Sequence, residues 1–458
     1  MMPPHIGKTG GESSVRQSND GMLGAMPVPR LVVTMSLPIM LSMLISAVYN
    51  LVDSVYVAQY SDEAFLALSY AYPIQMLLVA FCSGIGVGFS AIFSRRLGEG
   101  DQEQAASAVC HGFFLYGLCW LLFLLFALTG AAPFLRLSTE DPSVARQGAQ
   151  YLLICCGLSI GTCMQFLTER ILQAMGRPAG FMIVQGSGAI LNLILDPIFI
   201  FVLDLGVAGA AAATVIGQIS GALIGFWLVY RLRRQLPIRL RGFRPRGEML
   251  AEMGRVAAPA VVMQSLSSFM SLGLNQLLTR WSESAVFVLG AYFKLQTFIF
   301  MPIFGISSGL IPILSYNYGS GALRRVSASV RFGQQFTAVL SLSGALLLSL
   351  LASPLLRSAF RASPEALAMG ASALRIIALS FFFAGTSIIF CSAFQSLGRS
   401  RWSLLVALLR QILLLLPAAA LLLALKPALV WAAFPLSELI SCFAAALLYR
   451  RTIQKQLL

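Results

Sequence analysis

Apolar residues in this chain run in long unbroken blocks instead of alternating, and short polar breaks separate the blocks from Leu31 almost to the end. A hydrocarbon layer of about 30 Å takes about 20 apolar residues per helical crossing. Blocks of that length predict helices at roughly 31–58, 64–94, 107–130, 144–167, 179–202, 206–230, 253–279, 286–316, 328–352, 369–395, 403–425 and 428–449. The pattern is that of an all-α membrane protein with twelve transmembrane helices, numbered 1 to 12 here. An even count puts both chain ends on one side.

Composition agrees: the 458 residues are 58% hydrophobic and 11% charged, with a mean hydropathy of +0.81. Soluble proteins are roughly a quarter charged, so no large soluble kinase, ATPase or DNA-binding module fits beside the spans. Residues 1–30 are rich in Gly, Pro and Ser, carry no apolar core of a leader, and are expected to be a disordered cytoplasmic tail.

The net charge of +14 reads as topogenic once its distribution is known. Even-numbered loops hold Arg95, Arg96, Arg170, Arg177, Arg231, Arg233, Arg234, Arg239, Arg241, Arg244, Arg246, Arg255, Arg324, Arg325, Arg331, Arg399 and Arg401. Odd-numbered loops hold only Arg136, Arg146, Arg280, Arg357, Arg361 and Lys426. Cytoplasmic loops carry the basic excess, so both termini, including the tail over 450–458, are expected in the cytoplasm of a bacterial inner membrane. The basic stretch over 231–252 reads as a linker resting on anionic headgroups, not as a nucleic-acid site. The cysteines, Cys82, Cys110, Cys119, Cys155, Cys156, Cys163, Cys391 and Cys442, lie in or beside apolar runs without C-x-x-C spacing and read as small packing residues.

The chain repeats itself. A shift of 221 positions pairs Pro38 with Pro259, Gln75 with Gln296, Gly84 with Gly305, Gly88 with Gly309, Gly98 with Gly319 and Gly112 with Gly333, without a gap. At 222, QAMGR over 173–177 meets QSLGR over 395–399. Two six-helix halves follow, an N-lobe over 31–230 and a C-lobe over 253–449. Equivalent helices are an even number apart, so the halves share one topology and a pseudo-two-fold along the membrane normal. That arrangement suits a substrate site between lobes.

An ionisable side chain at the centre of a membrane helix costs about 2.5 to 3.5 kcal/mol on insertion scales, so each is a functional hypothesis. Few exist here: Asp53, Glu169, Asp196, Lys294, Arg375, Arg410 and Glu438. Asn192 and Asp196 are one helical turn apart, and Pro197 removes a backbone donor beside them. A carboxylate, an amide oxygen and a freed carbonyl suit Na⁺ or H⁺, and Asp53 in the same half can join them. The competing reading leaves Asp53 near the interface and Asp196 in a plain polar contact.

The strings SLPIMLSMLISAVYNLVDSVYVAQ, SRRLGEGD, ILQAMGRP, NLILDPIFIF, KLQTFIFMPIFGISSGLIPILSYNYGS and FQSLGRSRWSLLVALLRQILLLLP, in this order, resemble the multidrug and toxic compound extrusion (MATE) family, closest to its bacterial multidrug-efflux branch. The resemblance implies an antiporter that exports lipophilic, cationic drugs in exchange for H⁺ or Na⁺ by alternating access. It implies a cation site at Asp53, Asn192 and Asp196, with Tyr151 and Thr214 as neighbours. Helices 7 and 10 lack the acids that some members carry, so a second cation site in the C-lobe is not expected.

Other signals shrink. Gly84-Ile-Gly86-Val-Gly88 lies inside an apolar helix and reads as helix packing, not as a nucleotide loop. His5 and His111 are the only histidines, too few for a histidine metal site or a clustered enzyme centre. There is no P-loop lysine to take energy from ATP. Met76, Met263, Phe293, Lys294, Phe394 and Arg410 are the expected lining of a substrate chamber, although Lys294, Arg410 and Glu438 can instead pair internally. Glu169 is expected to neutralise Arg170 or Arg177, the alternative being that it lines the cytoplasmic mouth. The chain is thus expected to be a monomeric transporter, not an enzyme, with a drug-like substrate, membrane lipids and a coupling ion as partners and no cofactor or nucleic acid. A flippase for lipid-linked saccharides is the alternative, and it calls for a row of cations in the central cavity.

Overall fold

The computed structural model describes residues 22–232, 243–358, 360 and 362–454, and all regular structure among them is helical. Ten helices are long and apolar enough to cross a membrane, and two bent pairs bring the number to twelve. Helices 1 to 3 are Val28–Tyr60, Asp62–Gly98 and Gln102–Thr129. Helix 4 joins Pro142–Gly157 to Ile160–Ala174, and helices 5 and 6 are Pro178–Val202 and Gly206–Arg231. Helices 7, 8 and 9 are Gly247–Thr279, Glu283–Gly319 and Leu323–Ser358. Helix 10 joins Pro364–Ala378 to Phe381–Ser396, followed by helix 11, Ser400–Leu425, and helix 12, Pro427–Ile453.

The bends in helices 4 and 10, 43° and 42°, occupy equivalent places in the two halves and share a local feature. Ser159 turns its hydroxyl back to the Cys156 carbonyl at 2.7 Å, and Ser380, 221 positions on, does the same to Ile377 at 2.6 Å. At both breaks the hydroxyl competes with the helical ladder for that carbonyl.

Two segments differ from the sequence expectation. Residues 22–30, expected within a disordered tail, are ordered: Met22–Ala25 is a helical turn and helix 1 starts at Val28. Leu23 is buried, Asn317 donates to its carbonyl at 3.1 Å, and Arg325 donates to the Leu23 and Met26 carbonyls at 3.2 and 2.8 Å. The connection between helices 3 and 4 carries a short helix, Ala131–Ser138. Residues 233–242 of the basic linker and residues 1–21 lie outside the described residues. Where the linker resumes, the Arg246 amide donates to His111 Nε2 at 2.8 Å while His111 Nδ1 meets the Ser107 carbonyl, so this histidine is structural.

The repeat glycines hold the lobes together. A Cβ on Gly98 of helix 2 would run into the Tyr316 carbonyl of helix 8, and one on Gly319 into the Arg95 carbonyl. Arg95 and Tyr316 are themselves repeat equivalents, so the crossing lies on the pseudo-two-fold. Gly84 and Gly88 meet Val261 and Ala257 of helix 7, while Gly305 and Gly309 meet Met40 and Ser36 of helix 1. Glycine lets backbones approach this closely. Arg96 adds a 2.8 Å ion pair to Glu252 across the same end.

Eleven residues make about three helical turns, so Lys294 shares a face of helix 8 with Gly305, and Pro73 one of helix 2 with Gly84. Both are exposed, as is Leu272 on the Val261 face of helix 7. Faces that touch at the basic end therefore separate toward the other end. The lobes are closed at the side of the arginine-rich loops and enclose a cleft that opens away from it.

Candidate functional site

The N-lobe holds a connected group of buried polar atoms. Asn192 and Asp196 are one turn apart on helix 5, and both are buried. The Asn192 amide donates to Asp196 Oδ1 at 3.1 Å and to Thr214 Oγ1 of helix 6 at 3.4 Å. Asp53 of helix 1 faces Asp196 within hydrogen-bonding reach. Thirteen residues separate Asp53 from Met40, more than three and a half turns, which turns Asp53 inward, away from the face that meets helix 8.

Three oxygens in this group, Asp53 Oδ1, Asn192 Oδ1 and Asp196 Oδ2, are buried without a hydrogen-bond partner. Buried polar atoms are nearly always paired, and an unpaired one costs about 1 to 3 kcal/mol. Two carboxyls and an amide oxygen left open together make a donor set for a hard cation, or for a proton shared between the acids. Helix 5 is shaped to present them. Its α-helical part ends at Pro197 and continues as a π turn over Ile198–Val202, the widened winding that often marks functional positions.

The structure thus brings together Asp53, Asn192, Asp196 and Thr214. Tyr151 is at the edge of the group: its hydroxyl receives Gln75 Nε2 at 2.5 Å. Tyr49, one turn before Asp53, escaped the sequence reading although it lies close to Asp53, Glu169 and Asp196. The spacing YNLVD carried the signal, but tyrosines in membrane helices are common. Gln165 was missed too; its amide donates to Glu169 Oε1 at 2.9 Å.

Glu169 corrects an expectation. Among the described residues it forms no ion pair with Arg170 or Arg177. The buried Arg170 reaches the other way, from Nη1 to Gln173 Oε1 at 3.0 Å and Ser308 Oγ of helix 8 at 2.7 Å. Gln173 Nε2 adds a 2.7 Å bond to the Ser308 carbonyl. These residues clasp the lobes at the closed end.

The expected chamber lining also needs correction. Phe394 is fully buried in the cluster where the start of helix 1 packs on the C-lobe, so it lines no opening. Met263 packs there too, its sulfur receiving Ser403 Oγ at 3.1 Å. Phe293 is half-buried beside Tyr292, with ring centres 5.4 Å apart. Arg410 follows the other reading that the sequence left open and pairs internally: Nε and Nη2 both bind Glu438 Oε1, at 3.0 and 2.8 Å. Lys294 remains on a face that borders the cleft and has no hydrogen-bond or ion-pair partner among the described residues, while Met76 is exposed on helix 2 about a quarter turn from the Gly84 face.

Comparison with known proteins agrees with this geometry. The multidrug export protein MepA of Staphylococcus aureus is 26% identical over 402 residues, covering 85% of this chain and 86% of the relative. A FAD transporter of Shewanella oneidensis is 26% identical over 417 residues, covering 88% and 89%. The outward-facing structure of a multidrug resistance MATE family transporter of the MOP superfamily superposes with a TM-score of 0.89 at 23% identity, covering 95% of this chain and 97% of that one. The MatE family itself matches residues 38–198 and 259–421, two segments that begin 221 positions apart, as the internal repeat does. The chain belongs to the MatE family, and its twelve helices are those of a membrane transporter.

Proposed function

We propose that this protein exports lipophilic, drug-like cations across the bacterial plasma membrane in exchange for H⁺ or Na⁺. The connected open oxygens of Asp53, Asn192 and Asp196, buried inside one lobe and turned away from the cleft, carry this reading. A coupling ion needs a site separate from the substrate path, and that is where this one is. With the arginine-rich loops in the cytoplasm, the state described is closed inward and open outward. A cation entering from outside neutralises the two acids and relieves their repulsion. It drives the exchange only through its differential affinity for the two states, and about 5.5 kcal/mol takes such an equilibrium from 1:99 to 99:1. The protein works as a monomer within lipid.

Purified protein in liposomes, loaded with a fluorescent lipophilic cation and given a pH gradient or a Na⁺ gradient in turn, tests the reading. One gradient should drive transport, and Asp53→Asn and Asp196→Asn should each abolish it. Full transport by both variants would sink the mechanism.

A second reading concerns substrate charge. Lys294 is exposed, without an ion-pair partner among the described residues, and on the cleft-facing side of helix 8, which favours substrates that also carry an anionic group, and one similar protein is a FAD transporter. Lys294→Gln should weaken transport of a zwitterionic or anionic dye and spare a simple cationic one. The flippase is not favoured: among the described residues Lys294 does not by itself make the row of cavity cations that a pyrophosphate needs, and Arg410 is occupied by Glu438.

A further inference from the structure

Of eight cysteines expected to serve only as packing, three converge. Cys82 of helix 2, Cys119 of helix 3 and Cys163 of helix 4 are all buried, and their sulfurs lie within 4.8 Å of one another. The Cys82 and Cys163 sulfurs are 3.7 Å apart. They come from three different helices, so the cluster exists only in the folded lobe. It is separate from the coupling group, and the transport reading makes no use of it.

The spacing fits three sulfurs around one small centre. With bonds of about 2.3 Å, as zinc makes to sulfur, a planar three-sulfur set has its sulfurs about 4 Å apart and a pyramidal set has them somewhat closer. The trio needs only a small inward movement to reach this. Charge then selects the occupant. Zn²⁺ on three thiolates leaves one negative charge and lacks its usual fourth ligand, while Cu⁺ on three thiolates leaves two. Net charge is costly inside an apolar helix bundle.

We propose that Cys82, Cys119 and Cys163 form a binding site for trivalent arsenic, taken up as neutral arsenous acid. Three thiols and As(OH)₃ give As(SR)₃ and three waters: three As–O and three S–H bonds break, three As–S bonds form, and each leaving hydroxide departs with a thiol proton. Nothing is oxidised or reduced, and reactant and product are both uncharged. The small neutral acid enters an apolar lobe without the penalty that an ion meets. The product ties helices 2, 3 and 4 together at one point.

The test uses full-length protein in detergent, kept reduced with a phosphine, treated with arsenite and desalted. Bound arsenic is measured by mass spectrometry and its neighbours by X-ray absorption. The expected result is one arsenic per chain with three sulfur neighbours and no oxygen. Cys119→Ala and Cys82→Ala should lose it while still eluting as folded protein. The double variant Cys155→Ala/Cys156→Ala, which removes the adjacent pair but keeps the trio, should retain it. No arsenic on folded wild type, equal arsenic on folded Cys119→Ala, or loss in the 155/156 variant would each overturn the proposal. Should Cys82→Ala fail to fold, Cys119→Ala decides alone.

Discussion

The two lobes descend from one repeat yet treat charge inside the membrane in opposite ways. In the C-lobe, Arg410 and Glu438 close on each other with two bonds of 3.0 and 2.8 Å, and their side chains are only 14% and 12% exposed. In the N-lobe, Asp53 and Asp196 face each other, each with one buried oxygen that has no hydrogen-bond partner, and Asn192 offers one more open oxygen. Opposite charges that neutralise each other leave nothing for an ion to do. Like charges held together create a demand that only a proton or a metal ion satisfies. The same scaffold thus carries a closed ion pair on one side and, in the function proposed above, a coupling group on the other.

The largest effect that would break this comparison is expected at Asp196. Asp196→Asn keeps the shape and the bond from Asn192 but removes one of the two facing acids, so gradient-driven efflux should vanish while substrate binding, read by fluorescence quenching, persists. If efflux survives in this variant, the N-lobe group is no more a coupling site than the C-lobe pair.

The C-lobe pair should answer with stability instead of coupling. Arg410→Met leaves Glu438 buried without its partner, and stranding a buried charge costs about 3 to 5 kcal/mol. The melting temperature in detergent should fall sharply. Replacing both residues, Arg410→Met with Glu438→Leu, should recover most of it, since a buried pair exchanged for apolar side chains is often neutral or better. A double variant that stays unstable, or one that is stable but uncoupled, would show that the pair does more than pack.

Closure at the basic end rests on the pseudo-symmetric glycines, and there the two lobes should behave alike. Gly98→Val and Gly319→Val each place a branched side chain against a backbone carbonyl of the opposite lobe, where neither helix can yield without parting. Both variants should shift the population away from the state closed at this end, read as a longer distance between spin labels at its loops. The two shifts should be similar because Arg95 and Tyr316 are equivalent. A shift in one variant only would break the symmetry argument.

Much of this was legible in the sequence because the signals were local or periodic. Asn192 and Asp196 are one turn apart in any helix, and Gly84, Gly98, Gly305 and Gly319 fall into register once the repeat is seen. What was not legible depended on where a side chain points in three dimensions. Phe394 has the hydropathy of a lipid-facing, core or chamber residue alike, and only packing shows that it is core. Glu169 sits next to Arg170 in sequence, yet the helix sends the acid to Gln165 and the arginine across to Ser308. The bends at Ser159 and Ser380 fall inside unbroken apolar runs, so hydropathy passed over them. The order in residues 22–30 comes from Asn317 and Arg325, nearly three hundred residues away.

The smallest effect, and the one that sharpens the comparison most, belongs to Thr214. Its hydroxyl receives the Asn192 amide at 3.4 Å, a long bond beside the shorter one that the same amide gives Asp196. A net hydrogen bond is worth about 0.5 to 1.5 kcal/mol, and one this long belongs at the low end. Thr214→Val keeps the volume and removes the acceptor, so Asn192 loses one of its two tethers and can rotate. Coupling-ion affinity should fall by about twofold to threefold, the factor that roughly 0.5 kcal/mol corresponds to, with maximal efflux and melting temperature unchanged. No change in ion dependence would place Thr214 outside the group. A loss as large as that of Asp196→Asn would make its hydroxyl a direct ligand of the coupling ion, with Asn192 only its support.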